Sequence, residues 1–529
     1  MTDTGAPAID IESPDALLRR IYDEEFGFLP TNSSMKPVHV ANALFRRILG
    51  VTTDFRPLGR VIRQYKKKNN KNFLVESNPN AAILADFAAR FADEYGNLPS
   101  EEAMTAFRSL AKETLGADGA AFDTGQSSFT LSHRRMISTD VSDNGSGDLL
   151  AALLGAGADL RAPKARNLLQ RLLEDDTDPW TTIGWPMLDV GEERQAVLAG
   201  AALARASRTA ALLATDEHGV LRSPTLRQLR ARFDQLADFE DTYGAKLTTL
   251  RRMVLFGCFC IHVHMIRRCG DVIEDGPRPP ILLDLFDGRR RSLREASAAT
   301  LQAGFRSIEQ LVLHRIGEHV DSVCVDGVEA FLDNLPISSE NDVLRAEYQG
   351  QRTGSEARDA LAEAYWKMGY SSVGPRRIGG EEADGDDPRR AQGLPWHALL
   401  ALGRRGGYLL PYDDRGRGGK EHKRYGANAE FAEVLVAATV EPGDPIDLDE
   451  FLDRLRDSFG IVIGRQVDFD VIRRNDLRLG AELQRSVSVN ENDLRLNFLA
   501  FKELMIEIGF AKSYADGRTV ITTDVGRVR

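Results

Sequence analysis

Asp447–Ile463, DLDEFLDRLRDSFGIVI, is the stretch on which the reading of the chain turns. Asp447-Leu448-Asp449-Glu450 has the D-x-x-E form of a helix start. Leu448, Phe451, Leu452, Leu455 and Phe459 recur at three- and four-residue spacing, so one face of that helix is apolar. Gly460 closes it, and the apolar run Ile461-Val462-Ile463 comes next. Working outward, a second helical stretch is expected through Val471, Ile472, Leu477, Leu479 and Leu483. A third begins at Asn492 or Asp493 and carries Leu494, Phe498, Phe501, Leu504, Met505 and Ile508. The period then falls to two. Phe510–Tyr514 and Thr519–Thr522 flank Ala515-Asp516-Gly517-Arg518, and an Asp-Gly pair between alternating runs signals a hairpin.

Three helices closed by a hairpin resemble the winged-helix superfamily, whose members bind DNA or dock other proteins. The resemblance covers residues 428–529, about a fifth of the chain. The module's core is expected from Leu448, Leu452, Leu455, Phe498, Phe501, Met505, Val520 and Ile521. The resemblance makes the third helix the recognition helix, yet its outward residues are Arg495, Lys502, Glu503 and Glu507. Residues 441–529 hold 13 Arg and Lys against 17 Asp and Glu, a net of −4, whereas a helix entering the major groove needs a basic face. DNA contact by this module would therefore fall to Lys512 and Arg518 on the wing and to the basic loop before it. Protein docking is the expected role otherwise.

A chain of 529 residues exceeds one core and divides into several domains. Its 42% hydrophobic and 28% charged residues are those of an ordinary globular protein. A net charge of −11 excludes a chain coated in nucleic acid and leaves room for local basic patches. Of 68 basic residues only 13 are Lys, the bias of a GC-rich bacterial genome. No uninterrupted apolar run reaches the roughly 20 residues of a membrane helix. Residues 1–7 have neither a basic nor an apolar signal region. Three of the four Cys crowd into Cys258–Cys269, which makes no disulfide framework, so a cytoplasmic location is expected.

The expected architecture is mainly α and multi-domain. Residues 1–13 form a disordered tail. Residues 14–147 form a mostly helical domain, with helices at Pro14–Glu25, Val38–Leu49, Leu58–Tyr65 and Ala81–Tyr95. Residues 148–373 form a helical middle: Leu149–Leu154, Leu168–Leu173, Glu192–Ala214, a helix from Ser223-Pro224 to Tyr243, and Lys246–Cys269, the most apolar segment. Ile281–Phe286 reads as a strand with a turn at Asp287-Gly288, and Ser292-Leu-Arg-Glu295 as a capping box before a helix to His319. Residues 374–427 read as an acidic linker and then a basic Gly/Arg-rich loop, and residues 428–529 as the C-terminal module.

For chemistry the sequence offers little. Cys258, His262 and Cys269 share one helical face at spacings of four and seven, with ligand types that zinc accepts. One helix rarely supplies a tetrahedral set, and buried Cys is common in cores. Asp284 and Asp287, after the short strand, have the form of carboxylates for a divalent ion, and a tight turn explains them better. No Walker loop, dinucleotide-binding glycine pattern, H-E-x-x-H helix or G-x-S-x-G elbow is present. No metal and no cofactor is expected.

Two basic stretches remain. Lys66, Lys67, Lys68 and Lys71 lie beside Tyr65 and Phe73, a phosphate-and-stacking combination. Residues 389–424 hold nine basic residues against three acidic, a net of +6, with Arg404, Arg405, Arg415, Arg417, Lys420, Lys423 and Arg424 as candidate phosphate contacts. The expected function is a non-catalytic scaffold or adaptor subunit of a bacterial DNA-handling complex, in anti-phage defence or genome maintenance. Its partners would be other protein subunits and, weakly and without sequence preference, DNA, with no membrane. A stand-alone DNA-binding regulator and a divergent metal-dependent nuclease are the alternatives.

Overall fold

Two of the expected caps, Ser13 and Ser223, hold the starts of their helices. Ser13 caps α1 (Pro14–Glu25), its hydroxyl accepting from Ala16 N at 3.4 Å, with Pro14 in the first turn. α2 (Pro37–Leu49) again opens on Pro and ends at Gly50. The computed structural model describes residues 12–31, 35–53, 143–156, 163–177, 193–195, 209–324, 358–366, 394–412, 423–475, 477–479 and 485–524, with residues 102, 133–134 and 137. Over these the protein is mainly helical, with short strands between. Strand β1 (Val51–Thr53) comes after α2, and α3 (Ser146–Gly155) and α4 (Lys164–Glu174) come next. The expected helix at Glu192–Ala214 begins instead as strand β2 (Glu193–Gln195), antiparallel to β1, and residues 196–208 lie outside the described residues. So do the expected helices at Leu58–Tyr65 and Ala81–Tyr95.

Helix α5 (Pro224–Tyr243) opens on Ser223 as expected, and its partner α6 (Lys246–Val272) is the axis of the structure. The two are joined by Gly244 and Ala245 alone, so they run antiparallel and share an apolar face. Along α6 nearly every residue from Leu250 to Ile266 is buried, including Phe256, Cys258, Phe259, Cys260, His262 and His264. By length and composition α6 also suits a membrane span, yet here it is enclosed by protein. It touches α2, α3, α4, α5 and, further along the chain, α7 (Arg291–Val323), α8 (His397–Arg405) and α9 (Ala429–Ala437). Each fully buried Phe along it contributes about 1.5–3 kcal/mol. Phe256 meets Phe233 edge-on at 4.8 Å between ring centroids, and Phe259 meets Phe431 at 4.9 Å and Phe459 at 5.5 Å.

After α6 the chain forms strand β3 (Ile281–Leu282), shorter than the expected 281–286, and then α7, which starts on Arg290 with no side-chain cap. The expected capping box is absent: Ser292 bonds to Asp493, and Glu295 pairs with Arg291 at 2.8 Å. Within 374–427, residues 374–393 and 413–422 lie outside the described residues, and the described ends of the expected basic loop hold regular structure. There α8 leads into β4 (Leu409–Pro411), paired antiparallel with β5 (Lys423–Tyr425).

The C-terminal module adds α9, β6 (Ile446–Asp447), α10 (Leu448–Phe459), β7 (Ile461–Val462), α11 (Gln466–Arg474), β8 (Arg478–Leu479), β9 (Arg485–Ser486), α12 (Glu491–Glu507), β10 (Ala511–Ser513) and β11 (Thr519–Ile521). The Asp-Gly hairpin is present, and β11 pairs on its other side with β6, giving the order β10–β11–β6. The second helical stretch departs from expectation. It ends at Arg474, and Leu477 and Leu479 belong to the entry into β8, which pairs with β9. The module's core is Leu448, Phe451, Leu455, Phe501, Met505 and Ile521, whereas Phe498 and Val520 are only half-buried.

The apolar core runs without interruption from Leu17 to Ile521. Hence the acidic segment before residue 394 does not separate two cores. A second join reinforces this. β3 pairs in parallel with β7, Ile281 opposite Ile461 and Leu282 opposite Val462. Fully buried Asn497 on α12 donates to Leu283 O and Ile463 O, both at 2.7 Å, and accepts from Leu285 N at 3.0 Å. Gly464 (φ +148) completes the join: a Cβ there would sit 2.0 Å from Leu494 O, so only glycine lets β7 approach α12. Truncating Asn497 strands two buried backbone carbonyls and the half-buried Leu285 N–H, each buried group costing about 1–3 kcal/mol. Asn497→Ala is therefore expected to lower the unfolding free energy by about 3 kcal/mol or more in urea titration, while exposed Asn492→Ala changes it by less than about 0.5 kcal/mol. Equal midpoints for the two variants would contradict this.

Candidate nucleic-acid interface

The β4–β5 hairpin is held from below by two tyrosines. Tyr408 donates its hydroxyl to Cys258 O at 3.1 Å, and the Tyr425 hydroxyl lies 2.6 Å from His262 Nε2. Burial raises the Tyr425 pKa far above its ordinary value and lowers that of His262 to about 3. The contact at neutral pH is thus a phenol donating to a neutral imidazole. The backbone is fixed as well, because Tyr425 O accepts from Ser297 Oγ at 2.9 Å and from Asp284 N at 3.0 Å. Gly407 (φ +77) makes the reversal from α8 into β4, where a Cβ would strike the Asn428 amide at 2.3 Å.

Asp284 shapes the neighbouring turn. Its carboxylate accepts from Phe286 N at 2.8 Å and Gly288 N at 3.2 Å, bending the chain through Asp287 and Gly288, both at positive φ. Burial raises its pKa, and the Arg424 guanidinium and these amides act the other way. Asp287 is exposed, and both carboxylates lie beside the Arg424 guanidinium, Asp284 at 3.5 Å and Asp287 at 3.9 Å, so the tight turn and this arginine account for both.

The turn delivers Arg289, Arg290, Arg291 and Arg294 beside the hairpin. Arg290 pairs with Asp493 at 2.7 Å, and Arg291 with Glu295. Arg294 donates to Gly288 O at 2.9 Å and lies over the Tyr412 ring, 5.0 Å from its centroid. Pro411 is opposite Lys423 across the strands, and Arg404 approaches Lys423 from the end of α8. Burial lowers the Lys423 pKa, and Arg404 adds to the effect. Among the described residues, Arg289, Arg404 and Lys423 have no ion-pair partner.

The expected contacts therefore divide. Arg404 and Lys423 lie on this surface, and Arg405, next to them, is half-buried. Arg424 is a correction. Only 2% exposed, it donates to Asp284 O at 3.0 Å and pairs with the Asp284 carboxylate at 3.5 Å, so it holds the hairpin and is not offered to a ligand. Lys512 is exposed on β10, and Arg518 is paired with both oxygens of Asp447, one at 2.7 Å, which offsets the charge of the hairpin tip. Lys66, Lys67, Lys68, Lys71, Arg415, Arg417 and Lys420 lie outside the described residues. Sequence reasoning missed Arg289, Arg291, Arg294 and Tyr412. The Arg-Arg-Arg run is in plain view, but a charge count over one contiguous window cannot add a run a hundred residues upstream.

The weak metal candidates do not assemble. The His262 ring bonds Tyr425 and the Cys269 thiol bonds Ser307, so these two are committed to different neighbours. Burial pushes the Cys258 thiol up to about 12, the opposite of a thiolate ligand. Among the described residues no three His, Cys, Asp or Glu side chains are grouped to hold a metal. No protein-family model matches the chain, and no curated protein matches it.

The His262 contact predicts an acid-sensitive anchor. An unfolded His titrates near pH 6.5 and the folded one near 3, so only the unfolded chain takes up the proton in between. The stability that His262 contributes is thus fully present above about pH 6.5 and lost as the pH falls. Between pH 6 and 4, wild type should lose about 1.4 kcal/mol per pH unit more than His262→Gln in denaturant titrations. Parallel acid limbs would contradict the burial of a neutral imidazole.

Proposed function

We propose that the protein is a non-catalytic scaffold or adaptor subunit of a DNA-handling assembly, of the kind that serves bacterial anti-phage defence or genome maintenance. Its C-terminal module acts as a winged-helix-like docking arm, and DNA contact is auxiliary and sequence-independent. The observation that carries this reading is the outward face of α12. Leu499 and Ile506, seven residues apart on one helical face, are 40% and 41% exposed, with Arg495 and Lys502 on the same face and Glu503 and Glu507 beside it. A groove-reading helix would carry an unbroken basic face there. Exposed apolar residues among charges of both signs suit another protein instead.

Two features support the docking role. Of the three helices on which the winged-helix resemblance rests, α10 and α12 are present with the β10–β11 hairpin after them, and the second is shortened to α11. Beside the exposed stripe, between α11 and α12, lies a cleft of about 750 Å³ whose lining includes Phe469, Leu494 and Phe498, with Arg465 and Arg495 among its polar residues. Such a cleft can receive an apolar anchor from a partner. The nuclease alternative gains no support, because the Asp284 carboxylate is committed to backbone amides and Arg424.

Affinity purification of the full chain from its native host tests the reading. An ATPase or nuclease subunit is expected to co-purify, and the double variant Leu499→Glu/Ile506→Glu is expected to lose it by tenfold or more while keeping its melting temperature within a few degrees. If the wild-type chain purifies alone and footprints one particular DNA sequence, it is a regulator and the scaffold reading fails.

A further inference from the structure

We infer that the auxiliary DNA contact is made by one strip that joins the start of α7 to the β4–β5 hairpin, Arg289, Arg291, Arg404 and Lys423 with Tyr412 and Arg294 between them, and that its ligand is the sugar-phosphate backbone. The inference rests on the DNA-handling reading and names the surface that serves it.

Continuity comes first. Arg294 reaches back to Gly288 O, next to Arg289, and lies over Tyr412, the residue after β4. Pro411, the last residue of β4, is opposite Lys423, which Arg404 approaches from α8. Segments more than a hundred residues apart thus meet along one line. The second ground is unrelieved charge. Many arginines of this acidic chain find carboxylates, Arg251 with Glu430, Arg252 with Glu240 and Glu433, Arg268 and Arg315 with Glu25, whereas Arg473, Arg474 and Arg495 have none among the described residues. On the strip Arg404 and Lys423 are like charges held near each other, and neither they nor Arg289 have an acid partner among the described residues.

The acids that border the strip do not cancel it. Asp284 is turned inward onto amides and Arg424. Asp493 holds Arg290. Glu295 holds Arg291, whose side chain is 72% exposed and exchanges such a pair at little cost. Among the described acids beside the strip, Asp287 alone stands out in solvent. Three unpartnered cations and one exchangeable one give about four phosphate contacts. Guanidinium and ammonium groups without a base-reading helix or strand give contact that ignores sequence. Tyr412, already covered on one face by Arg294, is a spacer that keeps the two halves of the strip apart.

The test is fluorescence anisotropy with a random 30-base-pair duplex and the full-length chain between 50 and 200 mM salt. About four contacts predict a slope of log affinity against log salt near −3.6, so about a hundredfold of affinity is lost across that range. The triple variant Arg289→Ala/Arg404→Ala/Lys423→Ala removes no ion pair and should keep the wild-type melting curve. It is expected to bind about a hundredfold more weakly at 50 mM salt, with a slope near −0.9. The single variants Arg289→Gln and Lys423→Gln should each flatten the slope by about 0.9. Wild-type affinity and slope in the triple variant, or no binding by wild type at 50 mM salt, would overturn the strip. Co-purification of partner subunits by the triple variant separates this outcome from failure of the scaffold reading: partners retained without DNA binding leave the scaffold standing.

Discussion

A helix that is apolar on every side can exist in water only if other parts of the chain cover every side. α6 is that helix, and covering it organises the structure. Its polar residues mark where the cover ends. Arg251 and Arg252 near its start meet Glu430, Glu240 and Glu433, and Arg267 and Arg268 near its end meet Ser458 O and Glu25. Between these ends the cover is drawn from α2, α3 and α5 before it in sequence and from α7, α8, α9 and α10 after it. Loss of any one face would expose aromatic area worth several kcal/mol, on the scale of the whole stability of a folded chain.

That constraint explains which parts of the fold are legible in the sequence. Local signals read well where the chain decides locally: Ser13-Pro14, Ser223-Pro224, Gly460 and the Asp516-Gly517 hairpin all mark true boundaries. They fail where distant partners decide. Ser292-x-x-Glu295 has the letters of a capping box, but Asp493 and Arg291 compete for those side chains and win. Leu477 and Leu479 fit a helical stripe, yet that segment forms a strand pair beside Leu282 and Leu494 in a small second core. Asn497 carries no signal at all, since nothing in the sequence tells a buried clamp from a surface amide. Composition at residues 374–390 reports only that segment, not which side chains reach past it to α6.

The candidate site shows the same division. Arg404 and Lys423 are visible as part of a basic window. Arg424, in the same window, turns inward because Asp284, 140 residues earlier, holds it. Burial of that pair brings the Arg289–Arg294 run to the hairpin, so one structural ion pair sets the surface that Arg424 itself does not join. The proposed docking face and the proposed basic strip are built on elements that share Asn497 and Asp493 as links between α12 and the segments around α7. On the proposed reading, such a rigid connection would hold a partner and a phosphate backbone in a fixed relation.

The central claim is therefore that the middle helices and the C-terminal module unfold together because they cover one helix. Native-state hydrogen exchange over a denaturant series measures this directly. Amides of α6, of α12 and of Ile281, which bonds Gly460 O at 2.9 Å, are predicted to merge into one opening with free energies within about 1 kcal/mol of each other. If α12 and the β10–β11 hairpin open several kcal/mol below α6 while α6 stays protected, the shared core is not what holds the protein together.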